Sequence, residues 1–172
     1  DIIIVCLKIE ILSEKLIRYF SGMSLSELNR EVEYLINYIE NAIQVIKKNS
    51  NAMILVNNFE TPVFPSFGIL DYQDRSKQLN TLRQLNLNLI DLANKYKNIF
   101  LLDVDILQSL VGYYHFIDNR YWHIGKSPYT REALKLIAKE YVKFIRALKG
   151  KNRKCLVLDC DNTLWGGIIG ED

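Results

Sequence analysis

The sequence predicts an α/β domain, a three-layer αβα sandwich with a mainly parallel sheet. Short, continuous apolar runs rich in β-branched residues are typical of strands that are buried on both faces of a sheet. These runs alternate along the chain with longer stretches in which apolar residues recur every three or four positions, the spacing of an amphipathic helix. A strand–helix–strand order requires crossover connections, which favour parallel strands with helices on both faces.

Four apolar runs predict the strands, at residues 2–7, 52–56, 99–104 and 155–158. A short helix or turn is predicted at 13–20. A long helix is predicted behind Ser24, because a serine followed three residues later by Glu27 is typical of a capping box. Further helices are predicted from Arg75, over 105–111, and from Ser127-Pro128, since proline is favoured in the first helical turn. Residues 62–74 and 113–126 are predicted as loops.

The composition excludes several classes of protein. With 49% hydrophobic residues, 8 glycines and 3 prolines, the 172-residue chain is neither disordered nor collagen-like. Lys8 stops the first apolar run far short of the roughly 20 apolar residues that a membrane span needs. A formal charge of +2 does not predict nucleic-acid binding. The three cysteines lie in apolar runs, which predicts core thiols in the reducing cytoplasm.

The most informative stretch lies near the C-terminus, where Asp159, Asp161, Asn162 and Thr163 follow an apolar run. Two carboxylates two residues apart share one face of an extended strand, and such oxygen ligands suit Mg²⁺. A free oxygen of Asp159 could attack a phosphorus atom, and Asp161 could protonate the leaving oxygen and then activate water. Backbone N–H groups around Asn162 and Thr163 could bind the phosphate. The alternative is an ordinary Asx turn at a strand end.

The spacing Asp-x-Asp-x-Thr after an apolar strand resembles the first motif of the haloacid dehalogenase (HAD) superfamily. The resemblance implies that Asp159 is a nucleophile that forms an aspartyl-phosphate and that Asp161 is the acid and base. It also implies Mg²⁺ as the cofactor, held by the Asp159 carboxylate and the Asp161 carbonyl.

A longer string, from Lys154 through Trp165-Gly166-Gly167 to Gly170-Glu171-Asp172, is similar to the FkbH-like branch of that superfamily. Its members join an N-terminal SGNH-hydrolase-like region to a HAD-type domain. The best-known members load a glyceryl unit from a phosphorylated three-carbon donor onto an acyl carrier protein in polyketide biosynthesis. The resemblance implies an SGNH-like, flavodoxin-like domain at 1–150, and the first strand of a Rossmann-like HAD domain at 151–172.

The family's later motifs, which supply further phosphate and metal ligands, are not among these 172 residues. The chain therefore resembles a fragment that ends just after the first HAD motif. We expect it to have no appreciable phosphatase or transferase activity by itself.

SGNH hydrolases place an asparagine oxyanion donor after one strand and an Asp-x-x-His near the end of the domain. By resemblance, Asn57 or Asn58 would be the donor, and Asp118 and His123 would be the acid and base. However, four residues separate Asp118 from His123, and no serine is placed as the nucleophile. The alternative is that the two asparagines cap the strand end and that His123 is structural.

The sequence thus supports two hypotheses. In the first, the chain is the N-terminal part of a Mg²⁺-dependent HAD-type phosphatase or glyceryl transferase. In the second, residues 1–150 are a non-catalytic domain that recognises a carrier protein or substrate. The basic residues between 143 and 154 are then either a docking surface or a solvated helix end. An SGNH-like sheet that lacks its first strand would also expose an edge, which predicts self-association into a homo-oligomer.

Overall fold

The computed structural model of this protein describes residues 1–151 and Cys155. The chain divides into two units, Asp1–Tyr141 and Val142–Asp172. The first unit contains a parallel sheet of three strands in the spatial order β1 (Ile2–Val5), β2 (Met53–Asn57) and β3 (Ile99–Leu102). The predicted α/β class with parallel strands is therefore confirmed. The remainder of the fourth predicted strand, 156–158, lies outside the described residues.

Helices make up most of the described chain. They are α1 (Ile9–Leu12), α2 (Glu14–Arg18), α3 (Leu25–Asn49), α4 (Gln78–Asn94), α5 (Val104–Val111), α6 (Tyr113–Phe116), α7 (Asn119–Gly125) and α8 (Arg131–Leu148). Short 3₁₀ turns lie at Phe20–Gly22 and Gly68–Gln73.

The long helix α3 begins at the predicted capping box. The Ser24 side chain accepts a hydrogen bond from the backbone N–H of Glu27, and the Glu27 carboxylate accepts one from the Ser24 backbone N–H at 2.8 Å. Both N–H groups would otherwise lack a partner at the helix start. Behind the cap, the helix buries three residues of its predicted apolar stripe in the core, namely Leu35, Ile39 and Ile43.

The two faces of the sheet are covered by different helices. On one face, Ile54, Val56 and Ile99 join a buried cluster with the apolar stripes of α3 and α4. On the other face, Leu55 is fully buried, and Asn57, which shares that face, borders a cleft with α8. This arrangement places the carboxyl ends of the strands next to the start of α8.

The first strand is two residues shorter than predicted, and the contacts of one side chain explain the difference. β1 ends at Val5, and the backbone of Leu7 is bound by the Asn57 side chain instead of a strand. The third strand likewise ends at Leu102, because Asp103 caps α5.

Two other sequence predictions are wrong. Residues 113–126 are not a loop, because they form α6 and α7, and the Asp118 side chain caps α7. The last helix does not begin at Ser127-Pro128. The Pro128 carbonyl accepts a hydrogen bond from Asp118, and Tyr129 pairs with Ile117 in an antiparallel bridge, so α8 starts only at Arg131.

Candidate functional site

Polar side chains gather at the carboxyl ends of the strands, where parallel α/β sheets usually bind their ligands. Asn57 ends β2 and Asn58 follows it, while Asp103 and Asp105 follow β3. The structure brings Asn58 and Asp103 into contact, with the Asn58 amide nitrogen 2.8 Å from a carboxylate oxygen of Asp103. These side chains therefore cluster at this edge, and their hydrogen bonds decide what the residues can do.

Asn57 is occupied by the protein backbone. Its side-chain oxygen accepts a hydrogen bond from the Leu7 N–H at 2.5 Å, and its amide nitrogen donates to the carbonyls of Leu7 and Asn58, each at 2.8 Å. The residue is 3% exposed. An oxyanion donor needs a free N–H aimed at open space. The capping alternative therefore describes Asn57 better than the catalytic one.

Asn58 is occupied in the same way. Its side-chain oxygen accepts a hydrogen bond from the Val104 N–H at 2.6 Å, so it helps to cap α5. Asp103 caps the same helix through the Ile106 N–H. Asp105 accepts two hydrogen bonds from the backbone and hydroxyl of Thr61. These side chains bind the loop after β2 to the start of α5.

The structure does not bring Asp118 and His123 together as an acid–base pair. Asp118 precedes α7, and its carboxylate binds the Arg120 guanidinium, which holds the pKa of that carboxyl below its usual range. His123 is exposed in the last turn of α7. Among the described residues, no hydrogen bond or ion pair joins Asp118 to His123, and the Asp118 carboxylate is bound to Arg120 instead.

A buried charged cluster at the end of β1 was missed by the sequence analysis. Lys8 and Glu60 are only 8% and 4% exposed, and they form an ion pair. Glu10 lies 3.1 Å from the Lys8 ammonium, and the Tyr129 hydroxyl lies 3.4 Å from both oxygens of Glu60. Burial lowers the pKa of Lys8, although the Glu10 carboxylate opposes that shift. The only sequence signal was a lysine within an apolar context.

Beside this cluster, a cleft of about 300 Å³ opens between the strand ends and α8. Leu7, Val104, Leu134, Ile137 and Ala138 contribute its apolar walls. Its polar groups include the Cys6 thiol and the Tyr141 hydroxyl, whose sulfur and oxygen lie 3.6 Å apart. Cys6 is exposed and not, as predicted, a core thiol, because β1 ends just before it. Cys155 is exposed as well.

The predicted HAD residues Asp159, Asp161, Asn162 and Thr163 lie outside the described residues. Within residues 1–151 and Cys155, no group of three or more acidic, histidine or cysteine side chains could hold a metal ion. In the same part of the chain, no helix is both long enough and apolar enough to cross a membrane.

Comparison with known proteins agrees with the sequence resemblance. The family model for the FkbH N-terminal domain matches residues 2–146. A crystal structure of the N-terminal part of the protein BF1531 from Bacteroides fragilis, which contains a phosphatase domain and was complexed with Mg, shares the fold, with a TM-score of 0.76 and 23% sequence identity. That match covers 100% of this chain, which spans 44% of the other. No curated protein matches the chain. The chain belongs to the FkbH N-terminal domain family.

Proposed function

We propose that this chain is the N-terminal part of an FkbH-like enzyme, a Mg²⁺-dependent phosphatase or glyceryl transferase of the HAD type. The observation that carries the proposal is the family match over 2–146, followed by the carboxylates Asp159 and Asp161 at the spacing of the first HAD motif. By that motif, Asp159 is the nucleophile, and Asp161 donates a proton to the leaving oxygen and later activates water.

The two carboxylate residues fit Mg²⁺, which prefers oxygen ligands, and the resemblance to the motif implies that backbone N–H groups at Asn162 and Thr163 would bind the phosphate. When bound, the ion neutralises the negative charge of the phosphate and of one carboxylate. The proposed substrates are a phosphorylated three-carbon donor and an acyl carrier protein of a polyketide-type pathway.

The test is phosphorylation trapping on the complete protein. With Mg²⁺ and beryllofluoride, which mimics a phosphoryl group on an aspartate, we expect one stoichiometric adduct. Asp159→Asn abolishes it, because the amide lacks the nucleophilic oxygen, whereas Asp118→Asn, in the domain described above, leaves it unchanged. An adduct that persists in Asp159→Asn contradicts the assignment.

For residues 1–141 we propose a non-catalytic role in recognising a carrier protein or substrate. The supporting observation is that Asn57, Asn58 and Asp118 are bound to backbone or to Arg120, while His123 stands apart. We therefore expect no hydrolysis of p-nitrophenyl acetate above the rate in buffer. Measurable turnover that is lost in His123→Ala would contradict the proposal.

Basic side chains of the second unit could supply the docking surface. Arg146, Lys149 and Lys151 are exposed, and an acidic carrier protein has the complementary charge. Reversal of these three charges to glutamate is expected to weaken carrier binding at low salt, as measured by calorimetry. The matched control reverses Lys48, Arg83 and Lys97, which are exposed elsewhere. Equal effects of the two triple variants, with both proteins folded, would dismiss the surface.

A further inference from the structure

The cleft between the strand ends and α8 has properties of a small-molecule site. Leu7 follows β1, Asn57 ends β2, and Val104 follows β3, so the cleft lies at the carboxyl edge of all three strands. A larger groove of about 590 Å³ lies between α3 and α4, but its lining includes charged side chains such as Glu33, Arg75 and Lys95. The cleft at the strand ends is smaller and has more uniform apolar walls.

The size of the cleft limits its occupant. Its volume of about 300 Å³ is at the lower end of ligand pockets, and it is about twice that of an engineered protein cavity that binds benzene. The walls formed by Leu134, Ile137 and Ala138 suit an alkyl chain. No charged side chain lines the cleft among the described residues, so the cleft suits a neutral occupant.

Tyr141 provides a hydroxyl at the polar end of the cleft, which Ser127 and Tyr129 also line. The Tyr141 hydroxyl is half-buried, and its partner among the described residues is the sulfur of Cys6. Either atom can be the donor in this contact, and sulfur is a weak hydrogen-bond partner, so a carbonyl oxygen would replace it at little cost. Burial raises the pKa of Tyr141, which keeps the hydroxyl protonated and able to donate. The Tyr129 hydroxyl also borders the cleft, but it faces the Glu60 carboxylate.

We propose that this cleft binds a short neutral acyl group, with the alkyl chain against Leu134, Ile137 and Ala138 and the carbonyl oxygen accepting a hydrogen bond from Tyr141. This binding site does not depend on the chemistry of Asp159. The acyl group can be free or carried on a thioester arm, since both present the same carbonyl and chain.

The test uses the 172-residue chain, with NMR amide shifts as the readout. The probe is hexanoyl-N-acetylcysteamine, hexanamide represents the free acyl source, and benzene is the apolar comparator. We expect saturable shifts at Ile137 and Ala138 with a dissociation constant below about 1 mM. Tyr141→Phe weakens binding of the acyl probes about tenfold, because it removes one hydrogen bond, and leaves benzene binding unchanged. If the thioester binds more tightly than hexanamide, the ligand is an acyl group carried on a thioester arm. If the two bind equally, the ligand is the free acyl group.

Two variants fill the cleft from α8 in independent ways. Ala138→Leu and Leu134→Trp are each expected to abolish binding, whereas Ala42→Leu, on the exposed side of α3, does not. Absence of saturable shifts in the wild-type chain overturns the site, as does binding that persists in both cleft variants. Binding of benzene alone, or an unchanged affinity of the acyl probes in Tyr141→Phe, overturns the acyl assignment.

Discussion

Lys8 and Glu60 form a buried ion pair. Neither charge would be stable at its buried position without the other. Removal of one partner leaves a charge with little access to water, which costs about 3–5 kcal/mol in comparable pairs. The sequence could not reveal this pair, because its members are 52 residues apart and each lies in an ordinary local context. Lys8 marked only the end of an apolar run.

We expect Lys8→Met to lower the free energy of unfolding by about 3–5 kcal/mol, since it leaves both Glu60 and Glu10 without their positively charged partner. Glu60→Gln should cost less, because Lys8 keeps its contact with Glu10. Urea unfolding followed by circular dichroism measures both values. Equal losses in the two variants would show that Glu10 is not a second partner of Lys8.

Two buried glutamines provide a matched pair. The side chain of Gln78 binds the Ser66 backbone and hydroxyl and the carbonyls of Leu16 and Ile17, whereas neither side-chain atom of Gln108 has a hydrogen-bond partner among the described residues. A buried polar group without a partner costs about 1–3 kcal/mol.

Methionine has a shape similar to that of glutamine but no amide group that needs a hydrogen-bond partner. Gln108→Met is therefore expected to raise the free energy of unfolding by about 1 kcal/mol, and Gln78→Met to lower it by more than that. Both are measured by urea unfolding. Destabilisation by Gln108→Met would indicate that its side chain has a bound partner, such as water.

At the scale of elements, the start of a helix was predictable where residues close in sequence determine it. It was not predictable where contacts with residues elsewhere in the chain determine it. The capping box of α3 depends on Ser24 and Glu27 alone, so its position could be read from the sequence. The start of α8 depends on Pro128 and Tyr129 being bound by residues 117 and 118, which no local pattern shows. The same distinction applies to the strand ends, where Asn57 replaces a strand as the partner of Leu7.

The cap of α3 makes stability depend on acid pH. The Ser24 hydroxyl and backbone lower the pKa of Glu27 from 4.5, so its contribution to stability is present above that value and is lost as the pH falls through the lowered pKa. Ser24→Ala should cost about 1 kcal/mol at neutral pH and should flatten the decline below pH 4.5. Thermal unfolding at several pH values tests this, and an unchanged acid profile would contradict it.

At the scale of the whole molecule, the sequence showed polar residues after the predicted strands but did not reveal what those residues bind. The polar residues after β2 and β3 lie at the carboxyl edge of the sheet, where parallel sheets usually bind ligands. Their hydrogen bonds to Leu7, Val104 and Thr61 show that they hold the loops together. The cleft beside them involves Cys6 and Tyr141, which are 135 residues apart in the chain. Only the fold itself could bring these two residues together.

The outer strand β1 leads to a prediction about self-association. Among the described residues, β1 pairs with β2 alone, and Ile4 is 39% exposed. Apolar edge strands tend to pair with other chains, and a charged side chain prevents this. We expect a concentration-dependent dimer in sedimentation experiments, which Ile4→Lys converts to a monomer. Ile69→Lys, at a residue that is 91% exposed and outside the sheet, is the control. A monomeric wild-type chain at every concentration would contradict the prediction.

The parallel sheet has a final consequence for how fast the molecule can form. Every bond across its strand ends joins distant segments, such as Leu7 to Asn57, 50 residues apart, and Asn58 to Asp103, 45 apart. The loop-closure entropy must be lost before such contacts stabilise anything, which slows folding relative to a helical bundle. During synthesis, the isoleucine-rich β1 leaves the ribosome well before its neighbour exists.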